Sequence, residues 1–106
     1  MKVIYNPLLP FKGFSAINLF GVIFARTECR PLSKRTINHE AIHTAQMKEL
    51  FYLGFYVWYI TEWVLKLAIH GKRSYQNISF EREAYTWMSR YSYLQKRGKY
   101  AFLKYL

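Results

Sequence analysis

The spacing of hydrophobic and polar positions changes along the chain and predicts strands first and helices afterwards. Residues 14–26, FSAINLFGVIFAR, mix aromatic and β-branched residues with polar ones, which is typical of one strand or a short hairpin. A polar connection follows, and it contains Ser33 and Thr36 as helix-capping candidates. A helix should then run from about residue 36 towards Leu53, with a break at Gly54.

The most apolar part of the chain is residues 51–71, FYLGFYVWYITEWVLKLAIHG, and its length would suit a membrane span. Glu62 and Lys66 lie inside it, and each charge would cost roughly 2.5–3.5 kcal/mol near the centre of a bilayer. Together with Tyr59 they form a narrow polar stripe on a helix. We predict a core helix with one solvent-exposed polar edge; the alternative is a helix that lies in or spans a membrane.

A third helix is predicted to begin at Ser79, which is a good N-cap residue, and to end at Gly98. Its buried stripe would consist of Phe80, Ala84, Trp87, Met88, Tyr91 and Leu94. Residues 99–106 should form a short helix or an apolar tail. These patterns predict an α+β fold, in which a small N-terminal strand or hairpin is followed by three main helices.

Length and composition favour one folded domain over residues 1–106. Hydrophobic residues make up 52% of the chain and aromatic residues 20%, which excludes a disordered composition. The single cysteine, Cys29, excludes an intrachain disulfide and suggests a reducing compartment. Pro7 and Pro10 interrupt the N-terminal apolar run, so no signal peptide is predicted. We expect a cytoplasmic protein, with membrane association as the alternative.

The charge of the chain favours anionic partners. Sixteen Lys and Arg residues against six Asp and Glu give a net charge of +10, which suits nucleic acid or the inner face of a membrane. Basic and aromatic residues alternate from Trp87 to Tyr105 in a way that could stack bases. A solvated basic helix explains the same pattern more simply, so the sequence disfavours nucleic-acid binding. It predicts no particular oligomeric state.

The segment TINHEAIHTAQ, residues 36–46, contains candidate metal-binding and catalytic residues. His39 and His43 are four residues apart, so on a helix they share one face and can bind one metal ion. Glu40 stands between them and can reach a metal-bound water as general base, while zinc lowers the pKa of that water. A helix surface with two incidental histidines is the alternative.

Two histidines do not complete a zinc site, because a tetrahedral centre with one water needs a third protein ligand. The candidates are His70, Glu81 and Glu83. At 100° per residue the two glutamates flank the apolar stripe of the third helix about equally, one on each side. Periodicity alone therefore leaves the third ligand open.

HEAIH, followed 38 residues after His43 by the sequence EREAY, resembles the gluzincin pattern of His-Glu-x-x-His with a distant glutamate. The Glu-x-x-Ala sequence is similar to that of CaaX proteases and related metallopeptidases. In length the chain is most similar to the minigluzincins, which are single zincin-like domains with a small sheet, an active-site helix and a glutamate-bearing helix. The resemblance covers residues 14–91.

The resemblance implies a zinc metallopeptidase, a hydrolase with one zinc ion held by His39, His43 and Glu81, and with Glu40 as the catalytic base. Glu81 is favoured because it stands three residues before Ala84. Glu83 would then hydrogen-bond near a ligand and orient a histidine, or be the third ligand instead. The related proteases usually have Asp after that alanine, where this chain has a tyrosine.

The resemblance also implies a peptide or protein substrate that pairs with an edge strand within residues 14–26. Tyr75, Tyr85 and His70 are the candidates for a proton donor to the oxyanion. Minimal gluzincins can be latent, with a terminal segment in the cleft. Residues 100–106 are a candidate for such a segment, although packing into the core is the role we favour.

The alternative function is a basic, aromatic-rich zinc-binding module without turnover that binds nucleic acid, protein or a membrane surface. A closed structural zinc site would have a fourth protein ligand and would not need Glu40. Neither His70 nor Cys29 has the spacing expected of that ligand. An open site, and hence an enzyme, is the favoured prediction.

Overall fold

A three-stranded sheet forms the N-terminal part of the protein, whose computed structural model describes residues 2–10, 12 and 14–106. Its strands are β1 (Val3–Asn6), β2 (Ala16–Leu19) and β3 (Val22–Arg26), in the order β1-β3-β2. β2 and β3 are antiparallel and form the predicted hairpin. β1 lies parallel to β3 on the other side. β3 is therefore the central strand, and β2 forms one edge of the sheet.

The first long helix, α1 (Lys34–Glu49), begins where the capping pattern predicts. The Ser33 hydroxyl accepts a hydrogen bond from the Thr36 amide at 3.1 Å, which satisfies one of the unpaired N–H groups of the first turn. The break to the next helix precedes Gly54. Phe51 and Tyr52 both have positive φ there, so the helical conformation is interrupted before the next helix begins.

The second helix, α2 (Leu53–His70), is rotated about its axis relative to the prediction: its polar side faces the protein and its apolar side faces outwards. Its buried residues are Phe55 and Glu62, and the Lys66 side chain next to Glu62 is only 17% exposed. The polar stripe thus faces the protein, and the prediction of a core helix with an exposed polar edge is wrong. The large apolar residues that α2 exposes are Leu53, Val57, Ile60, Trp63, Val64, Leu65, Leu67 and Ile69.

The buried carboxylate of Glu62 explains this orientation. It accepts hydrogen bonds from the Ser79 amide at 2.5 Å and the Ser79 hydroxyl at 2.6 Å, and Lys66 lies 2.6 Å away. Glu62 therefore caps the next helix, α3 (Ser79–Trp87). The prediction that Ser79 itself is the N-cap is wrong, because Ile78 occupies that position and Ser79 is the first helical residue.

α3 is shorter than predicted, and a short helix, α4 (Tyr93–Lys96), follows it after a break. The Asn38 side chain donates to the carbonyls of Trp87, Met88 and Arg90 at 3.2, 2.9 and 3.3 Å. These bonds satisfy the carbonyl groups at the end of α3 and stop the helix there. The predicted continuation to Gly98 is therefore wrong, and Tyr91 is exposed instead of buried.

An aromatic core holds the helices together. Its fully buried members are Met47, Phe55, Ile78, Phe80 and Phe102. Phe102 belongs to a 3-10 helix at Ala101–Tyr105, and its ring centroid lies 4.6 Å from that of Phe80. Residues 100–106 thus contribute to the core, which is the role that the sequence favoured over occupation of the cleft. The α+β class and the three longer helices are confirmed. Within the described residues, no helix is long and apolar enough to cross a membrane.

Candidate metal centre

Two histidines on the inward face of α1 form the base of the site. His39 and His43 are 6% and 5% exposed, and their Nε2 atoms lie 3.1 Å apart. The four-residue spacing places one imidazole a turn above the other, as predicted from the helix period. Both rings therefore direct the same nitrogen towards one point inside the protein.

Glu81 reaches this point from the first turn of α3. Its Oε1 atom lies 3.2 Å from Nε2 of His39 and 3.1 Å from Nε2 of His43. Zinc held tetrahedrally, with zinc–nitrogen distances of about 2.0–2.1 Å, separates its ligand atoms by about 3.3 Å. The three atoms could therefore hold one metal ion. They are the two imidazole nitrogens and the carboxylate oxygen that zinc accepts as ligands.

The hydrogen bonds behind His43 fix the protonation of its ring. The Gln46 amide nitrogen donates to the Phe80 carbonyl and to Glu83 Oε1, both at 3.0 Å. Its amide oxygen must then face Nδ1 of His43, 2.8 Å away, and accept that proton. In the neutral ring this leaves the lone pair of Nε2 directed at the cluster, as metal ligation requires.

The electrostatics of the cluster favour the charged form of Glu81. Burial acts to raise the pKa of this carboxyl, but the charges and hydrogen bonds of His43 and His39 hold the pKa well below its usual range. Burial acts to lower the pKa of His43, and the adjacent Glu81 carboxylate instead raises it to about 9 in the metal-free protein. A cation is therefore favoured at this point, and a metal ion would replace the proton.

Glu40 lies beside the three clustered atoms and is not one of them. It is 9% exposed, and burial raises the pKa of its carboxyl above the usual value. The backbone carbonyl of Glu40 accepts a hydrogen bond from the Asn18 side chain at 2.9 Å. Asn18 also donates to the Thr44 hydroxyl at 2.8 Å, so strand β2 is attached to α1 next to the cluster.

A cavity of about 320 Å³ lies between α1 and β2. Glu40, His43 and Glu81 line it together with residues 16–19 of β2. Apolar side chains make up most of the remaining wall, and Tyr56, Tyr59 and Tyr75 contribute three phenols. None of residues 99–106 lines this cavity, so the described structure does not show the tail in the cleft.

Glu83, the alternative third ligand, lies away from the two histidine Nε2 atoms. Its buried carboxylate accepts hydrogen bonds from Tyr93 at 2.6 Å and from Arg97 at 2.5 Å, as well as from Gln46. Burial acts to raise the pKa of Glu83, and these hydrogen bonds outweigh burial and lower it. The geometry therefore favours Glu81 as ligand and connects Glu83 to His43 through the Gln46 amide.

The three candidate proton donors occupy different places. Tyr75 lines the cavity, and burial raises the pKa of its phenol, so the phenol keeps its proton. Tyr85 packs edge-on against His39, with ring centroids 4.6 Å apart, and Nδ1 of His39 has no partner among the described residues. His70 is exposed at the end of α2 and is not part of the cluster.

Three residues that support the cluster were not predicted from the sequence. Tyr59 donates to Oε2 of Glu81 at 2.8 Å, Gln46 positions His43, and Arg97 neutralises Glu83. Gln46 stands three residues after His43 on the same helix face, which is a signal that the sequence does contain. Tyr59 belongs to the polar stripe of α2. It reaches the site only because the polar side of that helix faces the protein.

Fold and site together define an α+β protein with a buried His-His-Glu cluster beside a cleft. Comparisons of the chain with protein-family profiles, with curated proteins and with solved structures found no match. The resemblance to gluzincins therefore stays a prediction, and the function is proposed from the geometry of the site.

Proposed function

We propose that the protein is a small zinc metallopeptidase that hydrolyses peptide bonds. The geometry of the candidate metal centre is the main support for this proposal. Three buried ligand atoms, from His39, His43 and Glu81, lie within 3.2 Å of one another, and His43 and Glu81 line a cleft together with Glu40. A buried carboxylate beside such a cluster is the arrangement that water activation needs.

His39, His43 and Glu81 would hold one zinc ion, which when bound lowers the pKa of a water ligand towards neutral. Glu40 accepts the proton of the attacking water and delivers it to the leaving nitrogen of the peptide. Burial raises the pKa of the Glu40 carboxyl, which makes its carboxylate a stronger base. Tyr75, still protonated in the cleft, donates a hydrogen bond to the carbonyl oxygen as negative charge develops there.

Strand β2 is the element that would position the substrate. In the register with β3, the backbone groups of Ala16 and the amide of Asn18 point away from the sheet. The Asn18 carbonyl already accepts a hydrogen bond from Tyr56 at 3.1 Å. An extended peptide or protein segment would pair with Ala16 and place an apolar side chain in the cavity, whose wall includes Phe14 and Met47.

A zinc-binding module without turnover is the second candidate function. Within the part of the chain that the structure describes, no fourth His, Cys, Asp or Glu joins the cluster, as a closed structural site would require. Aromatic residues proposed for base stacking instead contact other residues of the protein. Trp87 stacks on Tyr93 with ring centroids 4.6 Å apart and donates to the Tyr105 hydroxyl at 2.7 Å. These contacts favour the enzyme over a nucleic-acid-binding module.

Cellular location is proposed from the composition. A chain with one cysteine, Cys29, and no disulfide fits a reducing compartment, and we propose the cytoplasm. The domain is proposed to comprise residues 1–106.

Hydrolysis of a fluorogenic peptide library by the zinc-loaded protein tests the proposed activity. Glu40→Gln should lower the rate by about 100-fold or more, because it removes the general base. It should leave zinc content unchanged. Glu28→Gln is the matched control, since Glu28 is an exposed residue paired with Arg26, and it should keep the wild-type rate. A zinc-loaded wild type that cleaves no peptide, or a Glu40→Gln variant as fast as wild type, would contradict the proposal.

A further inference from the structure

The side of α2 that points away from the protein is a continuous apolar surface, here called the outward face. It consists of Leu53, Val57, Ile60, Val64 and Leu67. These residues recur at intervals of four and three, so they form one stripe along the helix. Each is between 47% and 69% exposed, although each would be buried in an ordinary core helix.

Two further apolar residues of α2 are exposed, and both lie on one side of the stripe, with Ile69 close to the side of the helix that carries Glu62. Leu65 is 65% exposed and Ile69 76% exposed, and both lie outside the stripe on the helix circumference. Phe51, 87% exposed, lies before the helix and shares a groove with Leu106. Monomeric proteins rarely expose such a large contiguous apolar patch unless it binds something.

The charges around the outward face are positive. Lys48 precedes α2, Lys72 and Arg73 follow it, and Lys104 lies between two exposed leucines; all four cations are exposed. The acidic residues are engaged elsewhere. Glu28, Glu49, Glu62 and Glu83 are paired with basic residues, and Glu40 and Glu81 belong to the candidate metal centre.

We propose that the outward face of α2 binds the surface of an anionic phospholipid membrane. The helix would lie in the plane of the interface, with its apolar side chains among the acyl chains near the headgroups. The exposed lysines and arginines at its ends would contact anionic headgroups. Trp63, 42% exposed at the margin of the face, is of the residue type that prefers this interface.

Charge favours a membrane over a second copy of the chain. A symmetric dimer places the same patch of both subunits in contact, so the cations at the ends of α2 would be brought near their counterparts. A lipid surface covers the stripe and neutralises the charge.

Membrane binding would not obstruct the cleft. Phe55 and Tyr59 line the cavity from the inward side of α2, away from the outward face. The proposal also does not depend on zinc, and the metal-free protein can test it.

Cosedimentation with vesicles tests the proposal, with phosphatidylcholine vesicles that contain phosphatidylserine compared with vesicles of phosphatidylcholine alone. Wild type should bind the anionic vesicles and bind less as salt rises. Val57→Glu/Val64→Glu should reduce this binding about tenfold or more, because it places two charges in the apolar contact. Both positions are exposed, so circular dichroism should show an unchanged fold.

Ser92→Glu/Gln95→Glu is the matched control, since it changes the net charge equally at exposed positions outside α2. It should keep most of the binding. Three results would overturn the proposal: no binding of wild type to anionic vesicles, an equal loss in both double variants, or a wild-type dimer without lipid that Val57→Glu/Val64→Glu converts to monomer. The last result, from sedimentation velocity, would assign the face to a second copy.

Discussion

Helices α1 and α2 bury the opposite kinds of residue. α1 contains many polar residues, and its buried side is mostly polar: Asn38, His39, Glu40, His43, Thr44 and Gln46, together with Ile42 and Met47. α2 is far more apolar, and only Phe55 and Glu62 of it are buried. The more polar helix is therefore the inner one, and the most apolar segment of the chain faces outwards.

Polar partners, more than hydropathy, decide which side of each helix is buried here. A buried polar group is tolerated when its hydrogen bonds are satisfied. α2 provides such partners to α3 through Glu62, which caps the helix at Ser79, and through Tyr59, which binds Glu81. Both contacts hold the glutamate-bearing helix at the site. They require the polar stripe of α2 to face inwards.

Removal of Arg97 should have the largest effect on stability. The Arg97 side chain is 5% exposed and pairs with Glu83, which is fully buried, and with Glu49 at the end of α1. Arg97→Met would leave a buried carboxylate without its cation, and the free energy of unfolding should fall by about 3–5 kcal/mol. Urea unfolding measures this loss. Lys99→Met, at an exposed position, should change stability by less than about 0.5 kcal/mol.

Two isoleucines allow the comparison of α1 with α2 to be tested with one chemical change. Ile42 in α1 is fully buried, whereas Ile60 in α2 is 56% exposed. Ile42→Ala should lower the free energy of unfolding by about 2–5 kcal/mol, because it leaves a cavity. Ile60→Ala should cost less than about 1 kcal/mol in lipid-free solution. Equal losses in urea unfolding would show that the outward face of α2 is covered in solution.

The polar side of α1 should control zinc affinity through Gln46. Gln46→Met removes the acceptor that orients His43 and should weaken zinc binding by about 10–100-fold. Competition with a chromophoric chelator measures this change. Gln95→Met, at an exposed position, should leave the affinity as in wild type. An unchanged affinity in Gln46→Met would show that the position of His43 does not depend on this hydrogen bond.

The local parts of the fold were predictable from the sequence. The hairpin follows from the alternation and turn residues between Ala16 and Arg26, and α1 follows from the cap at Ser33. The meeting of His39 and His43 follows from the helix period alone. The choice of Glu81 over Glu83 did not follow from periodicity, because both flank one apolar stripe; only the family resemblance favoured Glu81.

The long-range parts were not predictable, because each depends on partners far away in the sequence. Asn38 ends α3 at carbonyls 49 to 52 residues further along the chain, and no pattern near Trp87 indicates this. The orientation of α2 depends on Glu62 meeting Ser79, 17 residues away. An apolar segment with a narrow polar stripe predicts the reverse orientation when these partners are unknown.

Zinc content of the purified protein tests the central claim most directly, with Glu81→Gln and Glu83→Gln measured beside wild type and folding checked by circular dichroism. The structure places Glu81 between the two histidines and Glu83 behind Gln46. We therefore expect about one zinc ion per chain in wild type and in Glu83→Gln, and little in folded Glu81→Gln. Zinc retained by Glu81→Gln, or absent from wild type after zinc is supplied, would contradict the claim that these residues form a metal centre.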